Sequence, residues 1–210
     1  MQDDELLCSS IWPLLTEEND KTIKDCFKEE IKKSDQLEIA VGFASCKSLL
    51  ELDKLITQQN IKNVSLILGM YFLNGFPEEL LQLVMEINEK WQKQGIGEIR
   101  VVFAFKNHVK LYCFLKNGEV RSAIIGSPNL SFLTDQETIW PKWRQYEMAY
   151  LTHNPKILKK TKKHIDSLKS EDVSNNIAYL VKNQLLIVKK VNKTEPEKFF
   201  KISGKNTFKK

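Results

Sequence analysis

The sequence predicts an α/β fold, a parallel sheet with covering helices, extended by a hairpin. Two observations carry this. Short aliphatic runs alternate with amphipathic helical stretches between residues 37 and 105. An Asn117-Gly118 pair then separates two further apolar runs at hairpin spacing. A chain of 210 residues, 42% apolar and 28% charged, suffices for one ordinary core plus an appendage, and excludes collagen-like, disulfide-framework and wholly disordered classes.

The elements follow in order. A helix is expected over 16–33, with Thr16 as cap, Glu17 and Glu18 at its positive end, and Ile23, Phe27 and Ile31 recurring every four residues. A strand over 37–43 ends at the small pair Ala44-Ser45. The next helix carries Leu49, Leu52, Leu55 and Ile56 on one side, and a strand over 64–68 closes at Gly69. A third helix starts near Pro77, with Leu80, Val84, Ile87 and Trp91 as its stripe, and Gly95-Ile96-Gly97 stops it before a strand over 98–105. The hairpin pairs 109–115 with 120–125. A polar and aromatic loop over 127–144 leads to a strand over 146–152, a basic helix over 155–169 and a late strand or hairpin over 179–190. Beyond Lys193 the composition is polar and lysine-rich, and no structure is assigned to it.

Charge is unevenly placed. Residues 155–210 carry 15 lysines against 5 acidic residues, whereas 1–154 carry 17 basic and 22 acidic ones. A basic C-terminal third on an acidic body suits a polyanionic partner, because each lysine that neutralises a phosphate releases counterions; a solvated lysine-rich helix face is the alternative. No run approaches the ~18 apolar residues of a membrane helix. The acidic start, Met1-Gln2-Asp3-Asp4-Glu5, lacks the basic region of a signal peptide, so a cytoplasmic location without membrane contact is expected. Cys8, Cys26, Cys46 and Cys113 are scattered without a C-x-x-C pair, which reads as free thiols and argues against a zinc site.

The chemistry concentrates around the hairpin. His108 and Lys110 lie two apart and share a strand face. A turn at Asn117-Gly118 returns Gly126-Ser127-Pro128-Asn129 beside the start of that strand, so His108, Lys110, Ser127 and Asn129 converge at one sheet end. Together they offer a nucleophile or proton carrier, a fixed positive charge and neutral hydrogen-bond donors, a set that fits a phosphoryl group under attack. Trp140-Pro141-Lys142-Trp143-Arg144 combines aromatics with cations. Trp143, Arg144 and Lys142 are candidate DNA contacts, with a packing plug as the competing reading, and Lys159 and Lys163 are candidate phosphate contacts. His153 and His164 read as packing or solvated residues.

His-x-Lys followed by Gly-Ser-x-Asn and a later strand-opening glutamate resembles the signature of the phospholipase D superfamily. Val41-Gly42-Phe43-Ala44-Ser45 and the segment from Gly69 to Phe76 resemble its restriction-endonuclease branch. The resemblance implies an α/β sandwich with a mixed, mainly parallel sheet between helical layers, with residues 1–170 as the catalytic domain. Residues 171–210 would be a basic extension or linker, or the start of a recognition region. It implies metal-independent hydrolysis of double-stranded DNA through a phosphohistidine, with no cofactor. His108 would be the nucleophile, Lys110 and Asn129 the ligands of the phosphate oxygens, and Ser127 the hydroxyl beside them. Glu147 would hold the other imidazole nitrogen, with Glu137 competing for that role. The position five residues after the lysine, where the family often has Asp, is Leu115 here. Since the family's reaction uses two His-x-Lys sets and this chain has one, the resemblance implies a homodimer with a composite site. Sequence recognition would then lie in a further domain or partner subunit. A phospholipase or phosphatidyl transferase, and a non-catalytic DNA-binding module, are the alternatives.

Overall fold

The computed structural model describes residues 4–17, 20–134 and 144–189. Its strands are β1 (Glu5–Cys8), β2 (Gln36–Val41), β3 (Asn63–Leu68), β4 (Phe76–Pro77), β5 (Gly97–Val102), β6 (Leu111–Lys116), β7 (Glu119–Gly126), β8 (Met148–Thr152), β9 (Ser174–Asn176) and β10 (Val188–Lys189). Its helices are α1 (Ile23–Lys32), α2 (Cys46–Gln58), α3 (Tyr71–Asn74), α4 (Glu78–Lys93), α5 (Pro155–Leu168) and α6 (Ile177–Lys182), with a 3₁₀ turn at Leu130–Leu133. Eight strands form one sheet in the order β1-β8-β7-β6-β2-β3-β5-β9, and β4 and β10 pair separately.

The expected α/β sandwich is present and its sheet is mixed, but two of its seven strand pairings are parallel and five antiparallel. It is less parallel than expected because the hairpin half and both edge strands pair antiparallel with their neighbours. Parallel pairing joins β2 to β3 and β3 to β5, where helical crossovers intervene. The hairpin half, from β2 through β6, β7 and β8 to β1, is antiparallel. Asn117 and Gly118 both have positive φ, 53° and 84°, the conformation a two-residue hairpin turn requires.

Strand alternation sends one set of side chains to each face. On one face, Leu37, Ile39, Val64, Leu66, Tyr112 and Phe114 pack under α1, α2 and α4 with Phe27, Leu52 and Trp91. On the other, Ala40, Ile67, Cys113 and Ala123 pack under α5 through Leu158, Ile165 and Leu168.

Three local expectations are corrected. The first helix begins at Ile23, not near Thr16, because Thr22 and Asp25 form a reciprocal capping box there. The segment over 179–190, expected as a late strand or hairpin, opens inside a helix, Ile177–Lys182, whose Ile177 and Leu180 are buried in the core, and only its end is a strand, β10. Together with β9, which pairs with β5, this helix places part of the 171–210 segment inside the folded body. The N-terminal strand β1, which lengthens the sheet beside β8, was not expected at all.

Glu30 on α1 is buried beneath β7. It pairs with Lys33 at 2.6 Å, accepts from the Ser122 hydroxyl, and has Arg121 at 4.0 Å and His153 at 3.9 Å. Burial works to raise its carboxyl, but Lys33, Ser122 and Arg121 outweigh this and hold it below the ordinary carboxylate value. The stabilisation from its ionised form is therefore present above the unfolded carboxyl range and lost as pH falls through the lowered folded value. Glu30→Ala should cost about 3 kcal/mol in urea unfolding at neutral pH, and Glu30→Gln should flatten the acid limb of stability against pH.

Candidate active site

The carboxyl end of β2 is where the chain switches direction across the sheet. From β2 the chain crosses to β3 on one side, and the neighbour on its other side, β6, arrives much later. Open α/β sheets place their binding crevices at such points. Antiparallel pairing brings the start of β6, the end of β7 and the start of β8 to the same edge.

Two glycines let the backbones close in. A Cβ on Gly69 would lie 1.9 Å from the carbonyl oxygen of Asn107, whose own N–H donates to the Gly69 carbonyl at 3.1 Å. A Cβ on Gly42 would lie 2.9 Å from Cδ2 of His108 and 3.6 Å from Oδ1 of Asn129. Only glycine leaves room for the imidazole over the end of β2.

His108 is exposed at this edge, and Lys110, which immediately precedes β6, is 7% exposed. The Lys110 ammonium lies 2.9 Å from Nδ1 and 3.0 Å from Nε2 of His108, against the ring edge between them. An ammonium only donates, so the imidazole is the acceptor. Burial pushes Lys110 below the ordinary lysine value, and the nearby negative charge of Glu147 opposes that shift. The Phe43 ring stands edge-on to His108 with centroids 6.1 Å apart.

Asn129 is tied to β2: its Oδ1 accepts the N–H of Phe43 at 3.0 Å. With the oxygen so engaged, the amide Nδ2 remains the group able to donate to a ligand. The fully buried Tyr112 hydroxyl donates to the Pro128 carbonyl at 2.7 Å and pins the loop between Ser127 and Asn129. Ser127 N–H donates to the Met148 carbonyl at 2.9 Å, joining this loop to β8.

His108, Lys110, Ser127, Asn129 and Glu147 thus gather at one edge, but one expected contact differs. The Glu147 carboxylate accepts from the Ser127 hydroxyl and does not hold His108. The reason is local. Met148 N–H donates to Ser127 Oγ at 3.1 Å, which sets that hydroxyl beside Glu147, while the ammonium of Lys110 fills the imidazole edge. Ser9, from the chain just after β1, supplies an Oγ that accepts the Glu147 N–H at 3.1 Å.

The remaining candidates divide. Arg144 is half-buried and precedes β8 at the site's end of the sheet. Trp143, Lys142 and the competing Glu137 lie outside the described residues. Lys159 and Lys163 are not brought to the site. They line a groove with Gly118 and Glu119 at the hairpin turn, the length of β6 away from His108, roughly 20 Å at ~3.4 Å per residue. His153 packs near Glu30 at the far end of β8, and His164 is exposed on α5. Sequence reasoning missed Tyr112 and Ser9 as supports. For Tyr112 the signal was available, since it follows Lys110 by two residues and so shares its side of the extended chain.

This arrangement can bind a tetrahedral oxyanion between Lys110 and Asn129 while presenting an imidazole nitrogen to its central atom. The family model described as NgoFVII restriction endonuclease N-terminal PLD domain matches residues 21–182, and the chain belongs to that family, as a nuclease domain. Among solved structures, the phospholipase D family member Nuc from Salmonella typhimurium is similar at 13% identity and a TM-score of 0.53, over 83% of this chain and 98% of that one. NucT from Helicobacter pylori matches at 12% identity and a TM-score of 0.51, over 81% of this chain and 98% of that one. A phosphatidylserine synthase from Haemophilus influenzae Rd KW20 matches at 15% identity and a TM-score of 0.56, over 82% of this chain and 39% of that one. At these identities the likeness is one of fold. None of the curated proteins matches. Among the described residues, no helix is long and apolar enough to cross a membrane.

Proposed function

We propose that this chain is the cleavage domain of a type II restriction endonuclease. It would hydrolyse double-stranded DNA without a metal, through a phosphohistidine formed on His108. The observation that carries this reading is the meeting of His108, Lys110 and Asn129 over Gly42, with Asn129 turned so that its amide nitrogen is free to donate. A ring nitrogen of His108 attacks phosphorus, and Lys110 and Asn129 hold the non-bridging oxygens as negative charge grows there. The bond from phosphorus to the leaving oxygen breaks, and that oxygen takes a proton. Water then attacks the phosphohistidine, which returns the imidazole and releases a phosphomonoester.

The proton donor to the leaving oxygen is, in this reading, His108 of the partner subunit. The other two histidines are too far from the site to serve: His153 is held near Glu30 and His164 sits on α5. A two-fold dimer would set the two His108–Lys110 pairs about one phosphate. Ser127 and Glu147 act as positioning residues, with Glu147 also supporting the charge of Lys110. Sequence recognition falls to another domain or subunit.

Plasmid cleavage by the protein in excess EDTA tests the metal-independent step. Undiminished cleavage is expected, and activity lost to EDTA and restored by magnesium would refute it. Sedimentation of the active species should give twice the 24.4 kDa chain mass. Phosphatidylcholine, offered beside plasmid, should not be turned over.

A further inference from the structure

Next to the site lies a second feature that the reaction itself does not use. An open cavity of about 840 Å³ sits between the N-terminus of α2, the α3–β4 segment and β10. Phe43 is the wall it shares with the site: its ring meets His108 edge-on at 6.1 Å and Tyr71 edge-on at 5.6 Å. Tyr71 is held rigidly. Its ring stacks on Phe76 at 4.3 Å, and its hydroxyl accepts from the N–H of Ala44 at 2.9 Å and donates to the carbonyl of Ala44 at 2.6 Å.

The opposite wall comes from the strap that precedes and forms β10. Gly75, at φ 78°, lets Ile187 approach so closely that a Cβ there would stand 3.0 Å from it. Leu73 and Ile187 rim the opening and are 54% and 53% exposed, an apolar surface left in water. Between these walls the lining also carries hydrogen-bonding side chains, Asn74 and Glu79 among them.

We propose that this cavity receives the base of a nucleotide adjoining the phosphate held at His108, an inference that rests on His108 and Lys110 being the phosphate site. Four properties select that occupant. The volume is that of a small-molecule pocket. The half-buried Phe43 ring on the wall offers aromatic surface against which a planar ring can pack whatever its identity. Asn74 and Glu79 offer donors and acceptors to a base edge. Finally, the cavity begins one aromatic ring away from His108, so a nucleotide reaching from phosphate to base spans the two. The cleavage domain would therefore grip an unstacked base beside the cut, adding a base-dependent term to binding at the scissile position.

Calorimetric titration of the full chain separates the base from the phosphate. The ligands are the four deoxynucleoside 5′-monophosphates and 2-deoxyribose 5-phosphate, which keeps the phosphate and sugar but has no base. At least one nucleotide should bind about tenfold more tightly than the sugar phosphate. In the double variant L73A/I187A, altered only at exposed rim positions, that advantage should fall to about twofold while sugar-phosphate affinity is unchanged. Equal affinity for nucleotides and sugar phosphate in the wild type, no binding of either, or an advantage unaltered in the double variant would each overturn the proposal. None of these monoesters is a substrate for diester hydrolysis, so the result is independent of turnover. Failure of the catalytic reading would show itself separately, as DNA cleavage that survives H108A.

Discussion

His108→Ala should lower DNA cleavage by about four orders of magnitude or more, with DNA affinity and urea unfolding nearly unchanged. The size follows from the role. Removing a covalent nucleophile closes the two-step route, and the donors that remain can only bind the phosphate. The selectivity follows from the position. His108 is exposed at the sheet edge and contributes to neither apolar cluster, so its truncation leaves no cavity. Gel assays of plasmid cleavage, filter binding and denaturant melts on one preparation check all three statements. Cleavage within tenfold of wild type would remove His108 from the chemistry.

The second large effect is expected at Lys110. Lys110→Met keeps the length and apolar stem of the side chain but removes its charge, and should cost about two to three orders of magnitude in rate, as does loss of a preorganised donor to a developing oxyanion. A pH profile sharpens this prediction. Burial sets the ammonium below the ordinary lysine value. Since the charged form binds the phosphate, the rate should fall as pH rises through that lowered value, earlier than an exposed lysine would allow. Lys110→Arg should move this alkaline limb upward, because guanidinium stays protonated, and Lys110→Met should abolish the limb. An alkaline limb unchanged in both variants would mean that another group titrates there.

How far these features were legible from the chain depends on whether local signals met competition. The β2, β3 and β5 crossovers declared themselves because each strand is a short segment rich in aliphatic residues and each intervening helix carries a clear apolar stripe. Asn117-Gly118 has few other uses, and the hairpin formed where expected. Thr16 and Thr22 were both chemically able to cap a helix. Only Thr22 has a carboxylate three residues on, Asp25, to complete the box.

Short elements were the least legible. The strand β1 has four residues and takes its shape from β8, far away in sequence. In α6, six residues are too few to show a helical period, so the mixed stretch over 179–190 reads equally well as strand or hairpin.

At the site, spacing alone placed His108 beside Lys110, because a strand has a two-residue repeat. The partner of Glu147 was not legible, since it depends on which hydroxyl the antiparallel register of β7 and β8 sets next to it, and that proved to be Ser127. The lysines of α5 could not be placed from composition either. The helix starts after β8 has run away from the site, which carries Lys159 and Lys163 to the hairpin end.

The central claim is that the imidazole of His108 forms a bond to phosphorus. Quenching the enzyme during turnover of internally labelled DNA, then mapping label on the denatured protein, tests it most directly. Acid-labile, base-stable label confined to the peptide that carries His108 and missing from H108A is the expected result. Acid-stable label on Ser127, or no protein-bound label during rapid cleavage, would contradict it.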